Sequence, residues 1–311
     1  MKTPCNRPRK AIFLIVLLAA LGLAADALAQ TRPLRILCSS FPIYQITRNV
    51  TLNHPGAAVS LMLPAELGCP HDYALKPQDM RLLANADVLV INGLGLEQFL
   101  GPSIKQANSR LAIIDSSEGI TNTLATPESS DHDHDEHGGP NPHLFASPKQ
   151  AARLAATIAR GLGQLDPEGS EAYRRNSQAY AEAMTRLGQE LSARAAKLAS
   201  PKIITQHGVF DYLARDIGLD IVAVIEPHPG QEPSAAEMLA LIKTLKASQA
   251  KAIFAEPQYP AKIVRTIAKE VGIKAATLDP AATGPDKAGL DYYETVMRAN
   301  MATLESTLGV R

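Results

Sequence analysis

Cysteine is scarce, no apolar run is long enough for a membrane, and neither sign of charge dominates. The 311 residues include three cysteines, and Cys5 precedes an apolar run at 11–25. That leaves Cys38 and Cys69, too few for a disulfide framework to carry the fold. The run itself is 15 residues long, short of the roughly 20 that span a bilayer. Lys2, Arg7, Arg9 and Lys10 before it, and Ala27-Leu28-Ala29 after it, give it the layout of a secretory signal peptide at 1–29, with the mature start expected at Gln30. No cysteine sits at that junction to take a lipid, so a soluble periplasmic protein is expected rather than a Gram-positive surface protein. Removing 1–29 takes away four basic residues and one acid, leaving 27 basic against 30 acidic and a formal charge near −3. Such a balance invites neither nucleic acid nor an anionic membrane.

Beyond the leader, short apolar runs alternate with amphipathic stretches. Strands are expected at 34–38, 58–63, 88–92 and 111–114, and again at 203–206, 220–224, 252–255 and 274–278. This alternation argues for an α/β fold of two lobes, each a mostly parallel sheet flanked by helices. Between the two sets lies a polar stretch at 121–142, read as a solvated loop. A helix is expected at 147–165, and a second from Asp166-Pro167-Glu168 past Ala195, with proline in its first turn. About 30 residues of helix would reach roughly 45 Å, enough to run along both lobes. The expected domains are therefore 30–165, a connecting helix at 166–198, and 199–311. A faint internal echo accompanies this division: PQDM at 77–80 leads to ADVLV at 86–90 much as 233–238 leads to 250–254.

His71, His143, His207 and Asp279 all fall in loops bordering strands or helices, and ligands of open α/β sheets bind beyond the carboxyl ends of strands. The separations 71 to 143 and 207 to 279 are both 72, as if each lobe supplied two groups from equivalent positions. Three imidazoles and one carboxylate form a four-coordinate set suited to Zn²⁺, whereas manganese prefers more oxygen. The bland alternative is that each histidine is a surface or hydrogen-bonded residue and Asp279-Pro280 a turn.

The segments around these residues weigh on that choice. LPAELGCPHDYALKP at 63–77, NPHLFASP at 141–148, QHGVFDYL at 206–213 and LDP at 278–280 resemble, in order, the four metal-ligand motifs of the zinc and manganese solute-binding proteins of ABC importers. QEPS at 231–234 and FAEPQ at 254–258 are also similar to segments of that family, so the resemblance covers essentially the whole mature chain. It implies that His71, His143, His207 and Asp279 are the metal ligands, and that one long rigid helix joins the lobes, with the site in the cleft between them. It further implies zinc, because a histidine at the third ligand position goes with zinc and a glutamate with manganese. The implied partners are a membrane permease and its cytoplasmic ATPase, and the protein is expected to act as a monomeric receptor, not an enzyme. Protonation of the histidines would then oppose metal binding below about pH 6.5.

The tract DHDHDEH at 131–137 is similar to the His-rich loop of zinc members, with His132, His134 and His137 as accessory capture groups. A solvated linker without a ligand role stands beside that reading. One departure is Cys69-Pro70 before His71, where many zinc members carry an acid. A Cys38–Cys69 disulfide and a plain buried thiol are alternatives there, with thiolate ligation behind both. His54 and His228 lack motif context and are read as surface residues. Rival functions are a manganese receptor, a secreted zinc hydrolase, or a zinc buffer that meets no transporter. A hydrolase would keep an open metal position, yet four ligands are expected here, and no His-Glu-x-x-His helix occurs.

Overall fold

A computed structural model describes residues 32–68, 70, 73–126, 139–226 and 234–311. The expected signal peptide lies outside these residues. The first sheet comprises β1 (Leu34–Cys38), β2 (Ala57–Leu61), β3 (Val88–Ile91) and β4 (Ala112–Asp115), in the order β2-β1-β3-β4. The second comprises β5 (Lys202–Thr205), β6 (Asp220–Val224), β7 (Ala252–Ala255) and β8 (Lys274–Thr277), in the order β6-β5-β7-β8. Every pairing is parallel. Helices therefore cover both faces, which is why central strands read as unbroken apolar runs: VLVI of β3 is mostly buried and AIFA of β7 wholly so.

The helices are α1 (Phe41–Val50), α2 (Pro77–Asn85), α3 (Ser103–Ala107), α4 (Pro148–Leu165), α5 (Ser170–Ala195), α6 (Asp211–Ile217), α7 (Ala235–Ser248), α8 (Lys262–Val271) and α9 (Tyr292–Leu308). Proline occupies the first turn of α1, α2 and α4, where its missing N–H costs nothing. A reciprocal Ser234–Glu237 capping box opens α7. Among the described residues no helix is long and apolar enough to cross a membrane.

The connecting helix starts later than the sequence suggests. Asp166 accepts from the Gly169 N–H at 3.2 Å, from the Tyr173 hydroxyl at 2.7 Å, and pairs with His54 Nε2 at 2.9 Å. These bonds stabilise a turn through 167–169, so α5 begins at Ser170 and ends at Ala195. Its 26 residues span about 39 Å. A stripe of Tyr173, Ser177, Tyr180, Met184, Leu187, Leu191 and Ala195 faces inward, a helical spacing that buries one side along its whole length. Along this stripe α5 packs on α4, on α1 of the first lobe, and on α6 and α9 of the second. His54, read from sequence as a surface residue, instead pins the α4–α5 turn to the loop after α1.

One hydrophobic cluster runs through both lobes. It contains Ile36 and Val88 of the first sheet, Leu154 and Leu187 of α4 and α5, and Ile203 and Phe254 of the second sheet. The stretch Leu34–Arg311 accordingly forms a single compact unit. The loop after β8 adds a further seam: Gly284 N–H donates to Ala65 O at 3.1 Å, and Arg48 Nη1 to Ala288 O at 2.7 Å.

The echo between halves is borne out in one respect. The helix beginning at Pro77 and the helix following Pro233 each lead into the third strand of an identically ordered sheet. The 72-residue spacing does not share that origin. His143 and Asp279 follow the fourth strands of their sheets, whereas His207 follows the first strand of its sheet and His71 comes after the second. The position matching His207 in the first lobe is Ser40, two residues past β1.

Candidate functional site

Each β–α crossover delivers a polar residue to the carboxyl edge of a sheet, where the strand's ladder ends. In the second lobe Glu226, His207, Glu256 and Asp279 stand just past β6, β5, β7 and β8. From the first lobe His143 stands between β4 and α4, on a short 3₁₀ turn at Leu144–Ala146. His143 and His207 are 4 % and 2 % exposed, and they face one another from opposite lobes. Their ring centroids are 5.0 Å apart with planes at 82°. Two imidazoles sharing one tetrahedral ion, each nitrogen about 2.0–2.1 Å from the metal, would hold their centroids about 5 Å apart. The pair is thus spaced for a common ion.

Each ring is held by its other nitrogen. Nδ1 of His207 contacts Oε1 of the buried Glu256 carboxylate. A carboxylate accepts only, so the proton sits on Nδ1 and the lone pair on Nε2. That Nε2 is buried and has no hydrogen-bond partner among the described residues. A basic nitrogen buried without a partner is costly unless a donor or a cation pairs with it. Glu256 is itself fixed: its Oε2 accepts from Gln258 Nε2 at 2.6 Å, and its N–H donates to Gln206 Oε1 at 3.2 Å. On the other side, Nδ1 of His143 donates to Asn141 Oδ1 at 2.8 Å, which again puts the lone pair on Nε2.

Asp279 is partly buried, its Oδ1 accepting from the Ala281 N–H at 2.8 Å. Burial, with the charge of Glu256 adding to it, raises its carboxyl above the ordinary range. Its backbone is clamped by Asn300, which accepts from its N–H at 2.9 Å and donates to its C=O at 2.6 Å. An acid held this way gains from a nearby cation.

His71 lies outside the described residues, as do Cys69 and His132, His134 and His137. Among the described residues no three His, Cys, Asp or Glu side chains are gathered to hold a metal. The neighbours of His71 in its motif do reach the second lobe. Gly68, at φ +78°, sits so close to Gln258 that a Cβ there would lie 3.0 Å from its Cγ, and Ala65 takes the Gly284 bond. The first motif is therefore packed on the residue that steadies Glu256.

Cys38 carries a free thiol, wholly buried at the end of β1. Burial pushes that thiol up to about 12. His228, like Cys69, falls outside the described residues.

Glu256 and Asn141 are the site residues that sequence reasoning passed over, although both stand inside recognised motifs. Their roles depend on side-chain direction, which spacing does not reveal. The only available signal was a buried-strand context for FAEPQ and the Asn-Pro-His triplet itself.

A family model described as zinc-uptake complex component A, periplasmic, matches residues 36–307. The zinc-binding protein AdcA of Streptococcus pyogenes serotype M3 is 29% identical over 306 residues, covering 92% of this chain and 58% of AdcA. The chain thus spans little more than half the length of that relative. The high-affinity zinc uptake system protein ZnuA of Bacillus subtilis is 29% identical over 290 residues, covering 89% of this chain and 88% of its own length. Among solved structures, the solute-binding protein FpvC of Pseudomonas aeruginosa in complex with Mn²⁺ superposes with a TM-score of 0.80 at 32% identity, over 89% of this chain and 99% of FpvC.

Proposed function

The chain belongs to the family of periplasmic component A of zinc-uptake complexes, and from that premise we propose that it is the receptor that captures Zn²⁺ and hands it to an ABC permease. The observation that carries this reading is the orphaned Nε2 of His207, in a histidine pair drawn from both lobes at a spacing suited to one ion. His143, His207, Asp279 and His71 are the proposed ligands. The contacts of Ala65 and Gly68 with the second lobe support the inclusion of His71. Neutral imidazoles and one carboxylate give a donor set that suits zinc. The Mn²⁺ bound by FpvC makes manganese the competitor to include in every titration.

The receptor acts in the periplasm as a monomer after removal of 1–29, with lobes at 30–165 and 199–311 and no catalytic step of its own. Its partners are the permease and ATPase of one importer, and not nucleic acid. His132, His134 and His137 supply weak accessory capture that precedes transfer to the main site. The test is metal content of the purified protein followed by chelator competition. One zinc per chain, lost in both His71→Ala and His207→Ala while the fold persists, is the expected result. Unchanged affinity in either variant rejects the ligand assignment, and preferential Mn²⁺ retention rejects the choice of ion.

A further inference from the structure

Asn141 is 1 % exposed and spends every polar atom it has. Its Oδ1 accepts from the His143 N–H at 2.9 Å and from His143 Nδ1 at 2.8 Å. Its Nδ2 donates to Gly208 O at 2.8 Å and to Asp211 Oδ2 at 2.9 Å. Its backbone C=O accepts from the Tyr212 hydroxyl at 2.8 Å, and its N–H donates to Leu124 O at 2.7 Å. The amide cannot be turned around, because both groups facing Nδ2 are acceptors and the backbone N–H facing Oδ1 is a donor. Gly208 is the residue next to His207. A single side chain therefore holds the ring of one lobe's histidine on its oxygen and the backbone beside the other lobe's histidine on its nitrogen.

We infer that Asn141 is a positioning residue that fixes the His143 tautomer and couples the orientation of that ring to closure of the seam at Gly208 and Asp211. The inference rests on the reading of His143 and His207 as ligands of one ion. Its physical content is mechanical. If the seam at Gly208 parts, the amide loses both acceptors and is free to rotate, and His143 then loses the bond that aims its Nε2. Parting the lobes and loosening the ion become one event, which is what a receptor needs at the moment of delivery.

Asn141→Asp separates the two halves of this role. The new carboxylate still accepts from His143, so the tautomer is kept. It cannot donate to Gly208 when ionised, and it faces the Asp211 carboxylate at hydrogen-bond distance, where the two groups keep a bond only by sharing a proton. Adding Asp211→Asn returns a donor to that second contact with the roles exchanged, but leaves the Gly208 C=O without its donor. Zinc dissociation from the full-length protein is followed by stopped flow with a chelator, and the His143 tautomer by long-range ¹H–¹⁵N spectra, with His207→Ala as control for the site itself. Asn141→Asp is expected to keep the Nδ1–H signature and release zinc roughly tenfold or more faster, and the double variant to recover only part of that loss, since the Gly208 C=O still lacks its donor. Asn141→Ala is expected to lose the tautomer preference and about 10–100-fold in affinity. A dissociation rate for Asn141→Asp within about twofold of wild type, while His207→Ala has lost zinc, overturns the coupling and leaves the site standing. Wild-type zinc affinity in His207→Ala overturns the site, and the coupling with it.

Discussion

Replacing Glu256 by Gln changes one atom in the pair that orients His207. Glu256 is 1 % exposed and makes three bonds: its carboxylate accepts from His207 Nδ1 and Gln258 Nε2, and its backbone N–H donates to Gln206 Oε1. A hydrogen bond to a charged partner contributes about 1.5–3 kcal/mol against about 1 kcal/mol for a neutral one. The substitution thus removes roughly 0.5–2 kcal/mol of support for the Nδ1–H tautomer, equivalent to about 2–30-fold in zinc affinity. A second effect has the same sign. The amide can present its NH₂ to Nδ1, which selects the Nε2–H tautomer and removes the metal-binding lone pair. The Gln258 side chain can absorb the change on the far side, because its Oε1 is buried and has no hydrogen-bond partner among the described residues. Global unfolding is therefore not expected, and a thermal melt of the metal-free protein checks this. Chelator competition at pH 7.5 should give a zinc affinity about 10–100-fold below wild type, in line with other partners of metal-bound histidines. An affinity within about twofold of wild type would refute the argument, since Glu256 would then not be holding the ring.

Asp211 is pushed up by burial to about 6 from an ordinary 3.8, with its bond to Asn141 and the nearby His207 opposing the shift. Between those values the folded chain holds a proton that the unfolded chain has shed, so stability falls as pH climbs from about 4 to 6, by at most about 3 kcal/mol. Asp211→Asn should flatten that slope in urea midpoints measured from pH 4 to 7, and an unaltered slope would dismiss Asp211 as its source. Leu187, fully buried in the α5 stripe, should cost about 2–5 kcal/mol when cut to alanine, read as a fall in Tm of roughly 5–15 °C for a chain of this size. The Cys38 thiol, buried and raised to about 12, should resist iodoacetamide at pH 8 in the folded protein and react only in denaturant; labelling of the native protein would contradict its burial.

The strand positions were legible because β1, β3, β5 and β7 are buried on both faces and stand out as short apolar runs between turn residues. Edges were less so: Met62 and Leu63 stay buried after leaving the ladder, so the pattern ran two residues past Leu61. α5 starts later than the pattern suggests because Asp166 bonds Gly169 and Tyr173 and is braced by His54, 112 residues away; the first two bonds are local, and no local pattern carries the third. The loops that carry the proposed ligands stand out as motifs. Glu256 and Asn141, which hold the two facing histidines, do not, since they act through directions set by tertiary packing, and the regular 72-residue spacing points to a symmetry that the strand order does not contain.

Because the largest apolar cluster passes from one sheet through α4 and α5 into the other, melting either lobe exposes core of its neighbour, although each sheet also keeps a smaller cluster on its far face. Heat should therefore disrupt the chain in one cooperative transition, not two. An ion held at the seam stabilises that single folded state by RT ln(1 + [L]/Kd), so cargo acts on the whole molecule at once. On the proposed reading, the chain without its ion is then also the less heat-stable form, and the more exposed to proteolysis, until it is loaded again.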